Sequence, residues 1–340
     1  MKLALCGSPG AGKTTLFQAL AGRKLAVGKG RDEAGVALLT VPDARVDRLS
    51  ALFQPKKTTY AQINFLDPPA PVGAGEDPAG KLPPELRQAD GLLLVVRNFD
   101  GGLGAPDPAG DLAAFGQEML LSDLITVERR LERIAGERQR GRKVDEEEAK
   151  LVAEALEILN AERPLRDKPD LAAHPKLRGF GLLTAKPLVV VANNEEDDPA
   201  PPELGPEVTP VVVRASIEAD LAELTDEERA EFMADMGLAD SALDRLIQAS
   251  YAALELISFF TVGPDEVRAW TVQDQTPAPQ AAGVIHSDLE KGFIRAEIMR
   301  YEDILSLGSE AAVKKAGLMK LAGKDHLVSD GEILHVRFSV

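Results

Sequence analysis

Cysteine is nearly absent from the chain, and no long apolar run occurs in it. The one cysteine, Cys6, excludes an internal disulfide framework, and because it lies in a short apolar segment we expect a buried, unreactive side chain. No apolar run approaches the roughly 20 residues that span a bilayer, and no signal peptide precedes the first apolar segment. These absences predict a cytoplasmic protein without a membrane partner.

Histidine and positive charge are also scarce. The four histidines are dispersed, with His174 in the middle of the chain and His286, His326 and His335 in its last quarter, so neither a Ser-His-Asp set nor a metal-ligand cluster can be assigned. The net charge of −16 argues against non-specific capture of nucleic acid, which requires a large basic surface, but it allows a local basic patch. The length of 340 residues predicts two or three domains.

The beginning of the chain carries the pattern of a phosphate-binding loop. The apolar segment Lys2–Cys6 runs into Gly-Ser-Pro-Gly-Ala-Gly-Lys-Thr at residues 7–14, and a helical pattern follows in Thr15–Ala21. This order predicts a P-loop, whose backbone N–H groups surround phosphate oxygens. Lys13 would reach the β- and γ-phosphates and Thr14 would bind Mg²⁺; the alternative is a chance glycine turn. The residues predicted here to bind nucleotide are Gly7, Gly10, Ala11, Gly12, Lys13, Thr14 and Thr15.

Asp67 is the predicted second contact for the metal. It ends a strand pattern over Thr59–Leu66, and in P-loop folds a carboxylate at this place holds the Mg²⁺ hydration shell opposite the P-loop hydroxyl, here Thr14. The alternative is an aspartate that serves the following turn. Residues 68–71 of that turn read Pro-Pro-Ala-Pro, where signalling GTPases carry a flexible Asp-x-x-Gly switch, and proline removes backbone donors and fixes φ.

A later strand pattern, Pro187–Ala192, ends in residues that can read a nucleotide base. P-loop GTPases carry Asn-x-x-Asp at this place, and the carboxylate accepts hydrogen bonds from two guanine donors that adenine lacks. Two registers fit, Asn193 with Glu196 or Asn194 with Asp197, and we favour the first because that asparagine follows the strand directly. A short acidic loop is the alternative. The residues predicted to line the base site are Asn193 and Glu196, with Ala215 and Ser216 after the strand pattern Val211–Arg214.

Strand and helix patterns alternate from residue 2 onward. The segment Leu92–Val96 is apolar at every position, as in a strand buried on both faces of a sheet. The alternation predicts an α/β fold in which the P-loop domain contains a doubly wound sheet.

A helical arm is predicted to interrupt this domain from Asp111 onward. Apolar residues at 124, 127, 131 and 134 follow a 3-4-3 spacing, and those at 152, 156 and 159 continue after a charged break at 141–148, so two amphipathic helices should form an antiparallel arm. The basic side chains either form a solvated face paired with glutamates or contact RNA phosphates. They are Arg129, Arg130, Arg133, Arg138, Arg140, Arg142 and Lys143.

The last part of the chain changes character again. The strand patterns Phe259–Val262 and Val267–Val272 flank a Gly-Pro-Asp-Glu turn, and Gly292–Met299 and Ile333–Val340 add two strands, so a compact α+β module is expected. The predicted domains are a P-loop domain at 1–110 and 183–255, the arm at 111–182 and the C-terminal module at 256–340.

Together these segments resemble the YchF subfamily of Obg-related P-loop NTPases, also called Obg-like ATPases. The resemblance implies a G domain interrupted by a coiled-coil arm and followed by a β-grasp TGS domain. It also implies hydrolysis of ATP or GTP with Mg²⁺, a loosened preference for guanine and association with ribosomes; the predicted contacts with the ribosome or its RNA are the basic arm and the TGS-like domain. The segments similar to the family are Thr126–Glu132, Leu183–Pro187, Phe259–Gly263, Glu266–Trp270, Ala278–His286 and Gly292–Glu297.

The chain differs from the family pattern at the two switch segments. The threonine of switch I has no counterpart in Lys24–Ala34, Ala70 replaces the switch II glycine with Pro71 after it, and the glycine-rich segment that follows is shortened to Val72–Glu85. No residue is an evident water-positioner, so we expect slow turnover. One alternative is a non-catalytic, nucleotide-gated adaptor on the ribosome. A P-loop small-molecule kinase is another, although neither an acceptor site nor a basic lid can be recognised.

Overall fold

The computed structural model describes residues 1–22, 34–69, 82–102, 104–206, 208–235 and 241–339. Most of the predicted switch I segment, Lys24–Ala34, and the switch II positions Ala70 and Pro71 lie outside these residues. The chain forms two compact units, one of residues 1–39 and 64–246 and the other of residues 40–63 and 247–340. The three domain bounds predicted from the sequence stay predictions.

Helices and strands alternate along the first half of the described chain. The strands are β1 (Lys2–Cys6), β2 (Gly35–Thr40), β3 (Lys57–Thr59), β4 (Gln62–Asp67), β5 (Gly91–Asn98), β6 (Leu188–Asn194), β7 (Val211–Val213), β8 (Leu256–Thr261), β9 (Glu266–Gln273), β10 (Phe293–Arg300), β11 (Lys320–Ala322) and β12 (Glu332–Phe338). The helices are α1 (Lys13–Ala21), α2 (Ala44–Phe53), α3 (Pro84–Gln88), α4 (Pro108–Gln139), α5 (Glu146–Asn160), α6 (Pro169–Ala172), α7 (Pro175–Arg178), α8 (Ala215–Glu223), α9 (Asp226–Asp235), α10 (Ala242–Ala253), α11 (Ala278–Ile285), α12 (Ser287–Lys291), α13 (Tyr301–Leu307) and α14 (Glu310–Lys315), with a 3₁₀ turn at Leu165–Asp167. Within the described ranges, no helix has both the length and the apolar character needed to cross a bilayer.

The first sheet has the strand order β2-β4-β1-β5-β6-β7. β1 pairs in parallel with β4 and β5, β5 pairs in parallel with β6, and β6 pairs in parallel with β7. The middle strand β5 is covered on both faces, because Leu92, Leu94 and Val96 are at most 1% exposed, as are Leu93 and Val95 between them. The doubly wound α/β architecture predicted from the sequence is confirmed.

The carboxyl ends of these parallel strands meet along one edge of the sheet. That edge carries the P-loop after β1 and Asp67 at the end of β4. It also carries Asn193 and Asn194 at the end of β6 and Ala215 directly after β7. Since ligands of open α/β sheets bind outside the carboxyl ends of the strands, the residues predicted to bind nucleotide and metal share the expected edge.

The predicted helical arm is confirmed as a hairpin of α4 and α5. Asp107 accepts a hydrogen bond from the Gly110 N–H group and caps α4, which begins three residues before the predicted start at Asp111. The hairpin is antiparallel, since Arg130 on α4 pairs with Glu148 on α5 while the more distal Arg138 pairs with Glu146. Its core includes Val127, Val152, Ala155 and Leu159, with Leu165, Leu171 and Leu177 from the segments that follow.

Asp123 fixes the arm to the sheet. Its fully buried carboxylate accepts hydrogen bonds from the Leu183 N–H group at 2.9 Å and from the Thr184 N–H and hydroxyl groups at 2.7 Å each. Burial raises the pKa of Asp123, and the bonds from Thr184 and Leu183 oppose that effect. Because residues 183 and 184 lead into β6, this carboxylate ties α4 to the strand that ends in Asn193.

The second unit contains a sheet with the order β11-β10-β12-β8-β9-β3. β8 and β9 form the predicted hairpin, with Phe259 opposite Trp270. Helix α11 packs on this sheet through Ala278, Ala281 and Ala282, which share one buried cluster with Phe259. A sheet with a helix packed on it agrees with the predicted C-terminal module.

The predicted strand Thr59–Leu66 is divided in the structure. Its beginning belongs to β3, which pairs in parallel with β9 of the second sheet, whereas β4 pairs with β1 of the first sheet. Tyr60 and Ala61 separate the two strands. A single alternating pattern does not reveal that its two ends pair with different sheets.

Candidate functional site

The P-loop backbone has the conformation that its glycines permit. Gly7, Gly10 and Gly12 have φ values of +134°, +81° and +87°, which side chains rarely allow. A Cβ at Gly7 would lie 2.3 Å from the carbonyl oxygen of Val95, and a Cβ at Gly12 would lie 2.2 Å from Nδ2 of Asn193. The loop therefore rests directly on the ends of β5 and β6.

Lys13 and the start of α1 provide the positive charge of the site. The Lys13 ammonium donates hydrogen bonds to the carbonyl oxygens of Gly7 and Ser8, both at 2.8 Å. Burial lowers the pKa of Lys13, and the charge of Asp67 opposes that effect. No side chain caps the N-terminus of α1 at Gly12, so the first N–H groups of the helix are available to an anion.

Thr14 and Asp67 suit magnesium. The Thr14 side chain is exposed and Asp67 is half-buried, and burial raises the pKa of Asp67 while the Lys13 charge lowers it. A hydroxyl and a carboxylate are ligands that Mg²⁺ accepts when phosphates and waters complete its octahedron. In the parts of the chain that the structure describes, no three His, Cys, Asp or Glu residues are grouped to hold a metal by themselves. A magnesium ion here would depend on phosphate oxygens.

The two candidate asparagines point to different neighbours. Asn193 is buried and connects the P-loop to α8, because its Nδ2 donates to the Ala11 carbonyl at 3.1 Å and its Oδ1 accepts from the Ala215 N–H group at 3.0 Å. Asn194 instead accepts from Asn98 Nδ2 at 3.0 Å and donates to the carbonyls of Asp198 and Ala200. Only Asn193 contacts the residues predicted to bind nucleotide, which favours the register of Asn193 with Glu196.

The remaining residues predicted to bind nucleotide lie in the P-loop, in the loop after β6 and in the first turns of α1 and α8. Glu196 is exposed, and its backbone carbonyl accepts a hydrogen bond from the Arg214 guanidinium at 3.0 Å. Ser216 is exposed in the first turn of α8, and Thr15 is half-buried in the first turn of α1. Ala11 is buried and its N–H group donates to the Ser8 carbonyl at 3.2 Å. The Glu196 carboxylate itself forms no hydrogen bond or ion pair with the residues that the structure describes.

Two further side chains that the sequence analysis missed lie at this site. The Phe99 ring is beside Gly12, where a Cβ would lie 3.8 Å from Phe99 Cε1. Asp111 accepts a hydrogen bond from the Ser8 hydroxyl at 3.0 Å. The sequence signal for Phe99 is its place directly after the buried strand β5, whereas nothing near Asp111 in the sequence points to the P-loop.

Known proteins resemble this chain over nearly its whole length. Residues 256–339 match the family model YchF-GTPase_C, described as a protein of unknown function (DUF933). A Bacillus subtilis (strain 168) protein named "Ribosome-binding ATPase YchF" is 38% identical over 360 residues, covering 99% of this chain and 98% of the relative. The "Obg-like ATPase 1" of Oryza sativa subsp. japonica is 33% identical over 373 residues, covering 100% of this chain and 92% of the relative. The solved structure of the Schizosaccharomyces pombe YchF GTPase matches with a TM-score of 0.82 and 29% identity, covering 99% of this chain and 97% of that one.

Replacing Lys13 by alanine is expected to weaken the binding of Mg²⁺-nucleotide by about 1–3 kcal/mol, the size of a charge-assisted hydrogen bond. Isothermal titration calorimetry measures this directly. Lys150→Ala, which removes an exposed ammonium from α5, is the control and should bind as the parent does. Unchanged affinity in Lys13→Ala would contradict the assignment of the site.

Proposed function

The chain belongs to the YchF family of P-loop NTPases, and on that premise we propose that it hydrolyses ATP or GTP slowly and acts as a regulator on the ribosome. The observation that carries the proposal is the P-loop itself, in which Lys13 and the start of α1 face the same edge as Asn193. The relatives named as ribosome-binding ATPases support the ribosome as partner. A ribosome partner places the protein in the cytoplasm.

Phosphate binding follows from the groups already at the loop. The Lys13 ammonium exchanges the Gly7 and Ser8 carbonyls for phosphate oxygens, and the N–H groups at the start of α1 add further donors. The Thr14 hydroxyl and the Asp67 carboxylate would hold Mg²⁺, which would neutralise phosphate charge. The Phe99 ring follows β5 directly and lies beside Gly12 of the P-loop, so it is a candidate surface for a flat base.

We expect turnover below about one per second, the low end of the usual range of enzymes. The reason is the sequence at the switches, where Ala70 and Pro71 replace the flexible glycine segment that orders around a γ-phosphate. A phosphate-release assay with ATP and with GTP measures the rate, and Lys13→Ala gives the background. Faster turnover would show that another residue positions water. A rate equal to the background would favour the non-catalytic adaptor.

Base choice should be weak or tilted to adenine. Asn193 already uses its amide to join Ala11 and Ala215, so it acts chiefly as a brace between the P-loop and α8. Glu196 has one methylene more than the aspartate of Asn-x-x-Asp that binds guanine in GTPases. Its carboxylate therefore lies in a different place. The family resemblance points to ATP in such cases.

Competition between ATP and GTP tests base choice, and the proposal fails if GTP is preferred by about a hundredfold, some 2.7 kcal/mol. Glu196→Asp shortens the side chain and should shift the preference toward GTP. Asp197→Asn is the matched control and should leave the ratio unchanged. A change in the Asp197 variant alone would favour the register of Asn194 with Asp197.

Ion pairs join the acidic start of α5 to basic residues of the arm. Three cations serve the four carboxylates of residues 145–148, because Lys176 pairs with two of them. The ion pairs are Lys176 with Asp145 and with Glu147 at 2.6 Å each, Arg130 with Glu148 at 2.6 Å, and Arg138 with Glu146.

The turn between α4 and α5 keeps unpaired positive charge. Arg140, Arg142 and Lys143 are exposed and form no ion pair with the residues that the structure describes. On a chain with a net charge of −16, this turn is a localised basic surface, and RNA phosphates are its chemical complement. We assign the ribosomal contact of the arm to these three side chains.

Reversing the charge of all three residues, Arg140→Glu, Arg142→Glu and Lys143→Glu, should weaken co-sedimentation with ribosomes. The slope of log affinity against log salt should fall by about three, one unit for each lost phosphate contact. Nucleotide affinity should not change. Lys150→Glu, Arg163→Glu and Arg178→Glu alter the net charge equally on exposed sites elsewhere and form the control. Normal co-sedimentation of the first variant would show that the turn is only a solvated face.

A further inference from the structure

Asp111 joins three elements of the first unit. It lies in the first turn of α4, where its Oδ1 accepts a hydrogen bond from the Ser8 hydroxyl of the P-loop at 3.0 Å. Its Oδ2 accepts from the N–H group of Arg97 near the end of β5 at 3.3 Å. One half-buried carboxylate therefore holds the P-loop, β5 and the arm together.

Ser8 forms one hydrogen bond with Asp111 and another with Lys13. The hydroxyl donates to Asp111, while the carbonyl accepts from the Lys13 ammonium at 2.8 Å. The charge of Asp111 also raises the pKa of Lys13 against the effect of burial. If Lys13 turned toward a phosphate, Ser8 would lose one of these two partners and would keep its hydrogen bond to α4.

Helix α4 is held at a second point by Asp123. That carboxylate is fully buried against Leu183 and Thr184, and Arg87 adds a hydrogen bond to the neighbouring Ser122 hydroxyl at 2.7 Å. The helix runs about 18 Å from Asp111 to Asp123 and about 24 Å further to its end at Gln139, taking 1.5 Å per residue. If α4 rotates as a rigid rod about Asp123, a displacement at Asp111 moves the distal end of the arm by a similar or larger distance.

We propose that Asp111 is a positioning residue that couples nucleotide binding at the P-loop to the orientation of the arm, through its hydrogen bond with Ser8. The coupling is reciprocal, so whatever fixes the arm changes nucleotide affinity by the same factor. The consequence for the ribosome rests on the proposed function. The coupling itself requires only that the P-loop binds nucleotide.

Distance measurement between two spin labels tests the coupling in the full chain. Gln139→Cys at the end of α4 and Asp220→Cys on α8 supply exposed labelling sites, and Cys6 stays unlabelled because burial raises its pKa and hides the thiol. Double electron–electron resonance measures the distance between the two labels. A saturating, non-hydrolysable ATP analogue should shift that distance distribution. The shift should disappear in Asp111→Ala and in Ser8→Ala, because each removes the hydrogen bond between the two side chains. The double variant should have no larger effect than either single one.

Asp107→Ala is the matched control. It removes the cap of the same helix without touching the P-loop, so it should lower the melting temperature and keep the shift. Nucleotide affinity should fall about three- to tenfold in Asp111→Ala and Ser8→Ala, the effect of one hydrogen bond. If Asp111→Ala does not fold, Ser8→Ala removes the same bond from the other side.

Two results would overturn the proposal. One is a parent protein whose label distance does not change at saturating nucleotide, and the other is an unchanged shift in Asp111→Ala. Failure to bind ribosomes contradicts the proposed function alone, because the label distance does not depend on ribosomes. If ribosomes bind, the ratio of ribosome affinities with and without nucleotide should approach one in Asp111→Ala.

Discussion

The P-loop backbone lies so close to the neighbouring strands that no side chain fits between them. A Cβ at Gly7 would lie 2.3 Å from the Val95 carbonyl oxygen, and a Cβ at Gly12 would lie 2.2 Å from the Asn193 amide. Because only glycine tolerates this approach with a positive φ, the loop takes its place from β5 and β6. The positions of Lys13 and of the α1 N-terminus follow from that contact, and so does the site where phosphate can bind.

Hydrogen bonds between residues far apart in the sequence fix the elements around the P-loop. Asn193 joins the P-loop to α8, Asp111 joins it to α4, and Asp123 joins α4 to the segment before β6. Such groups are tolerated away from water because each of them has hydrogen-bond partners, and a partner left alone would cost about 1–3 kcal/mol. The nucleotide site and the arm are consequently built around the same buried polar links.

Features that depend on short spacing could be predicted from the sequence. The residues of the P-loop, Lys13 and Thr14 among them, form one segment of eight, so their order alone indicates a strand, a turn and a helix start. The apolar spacing of the arm predicted its two helices, because that periodicity is local. The C-terminal strands were predictable from alternation and from resemblance to a known family, and the structure contains them as β8, β9, β10 and β12.

Only the tertiary structure decided what these segments contact. The pattern Thr59–Leu66 is continuous in the sequence, yet β3 and β4 pair with different sheets, since strand pairing is a property of distant partners. Asp111 lies 103 positions from Ser8, and Asn193 lies 182 positions from Ala11, so no local pattern could join them. The sequence by itself determined that a phosphate-binding loop begins this chain. Folding decided which side chains brace that loop, because the bracing hydrogen bonds exist only once the strands have assembled.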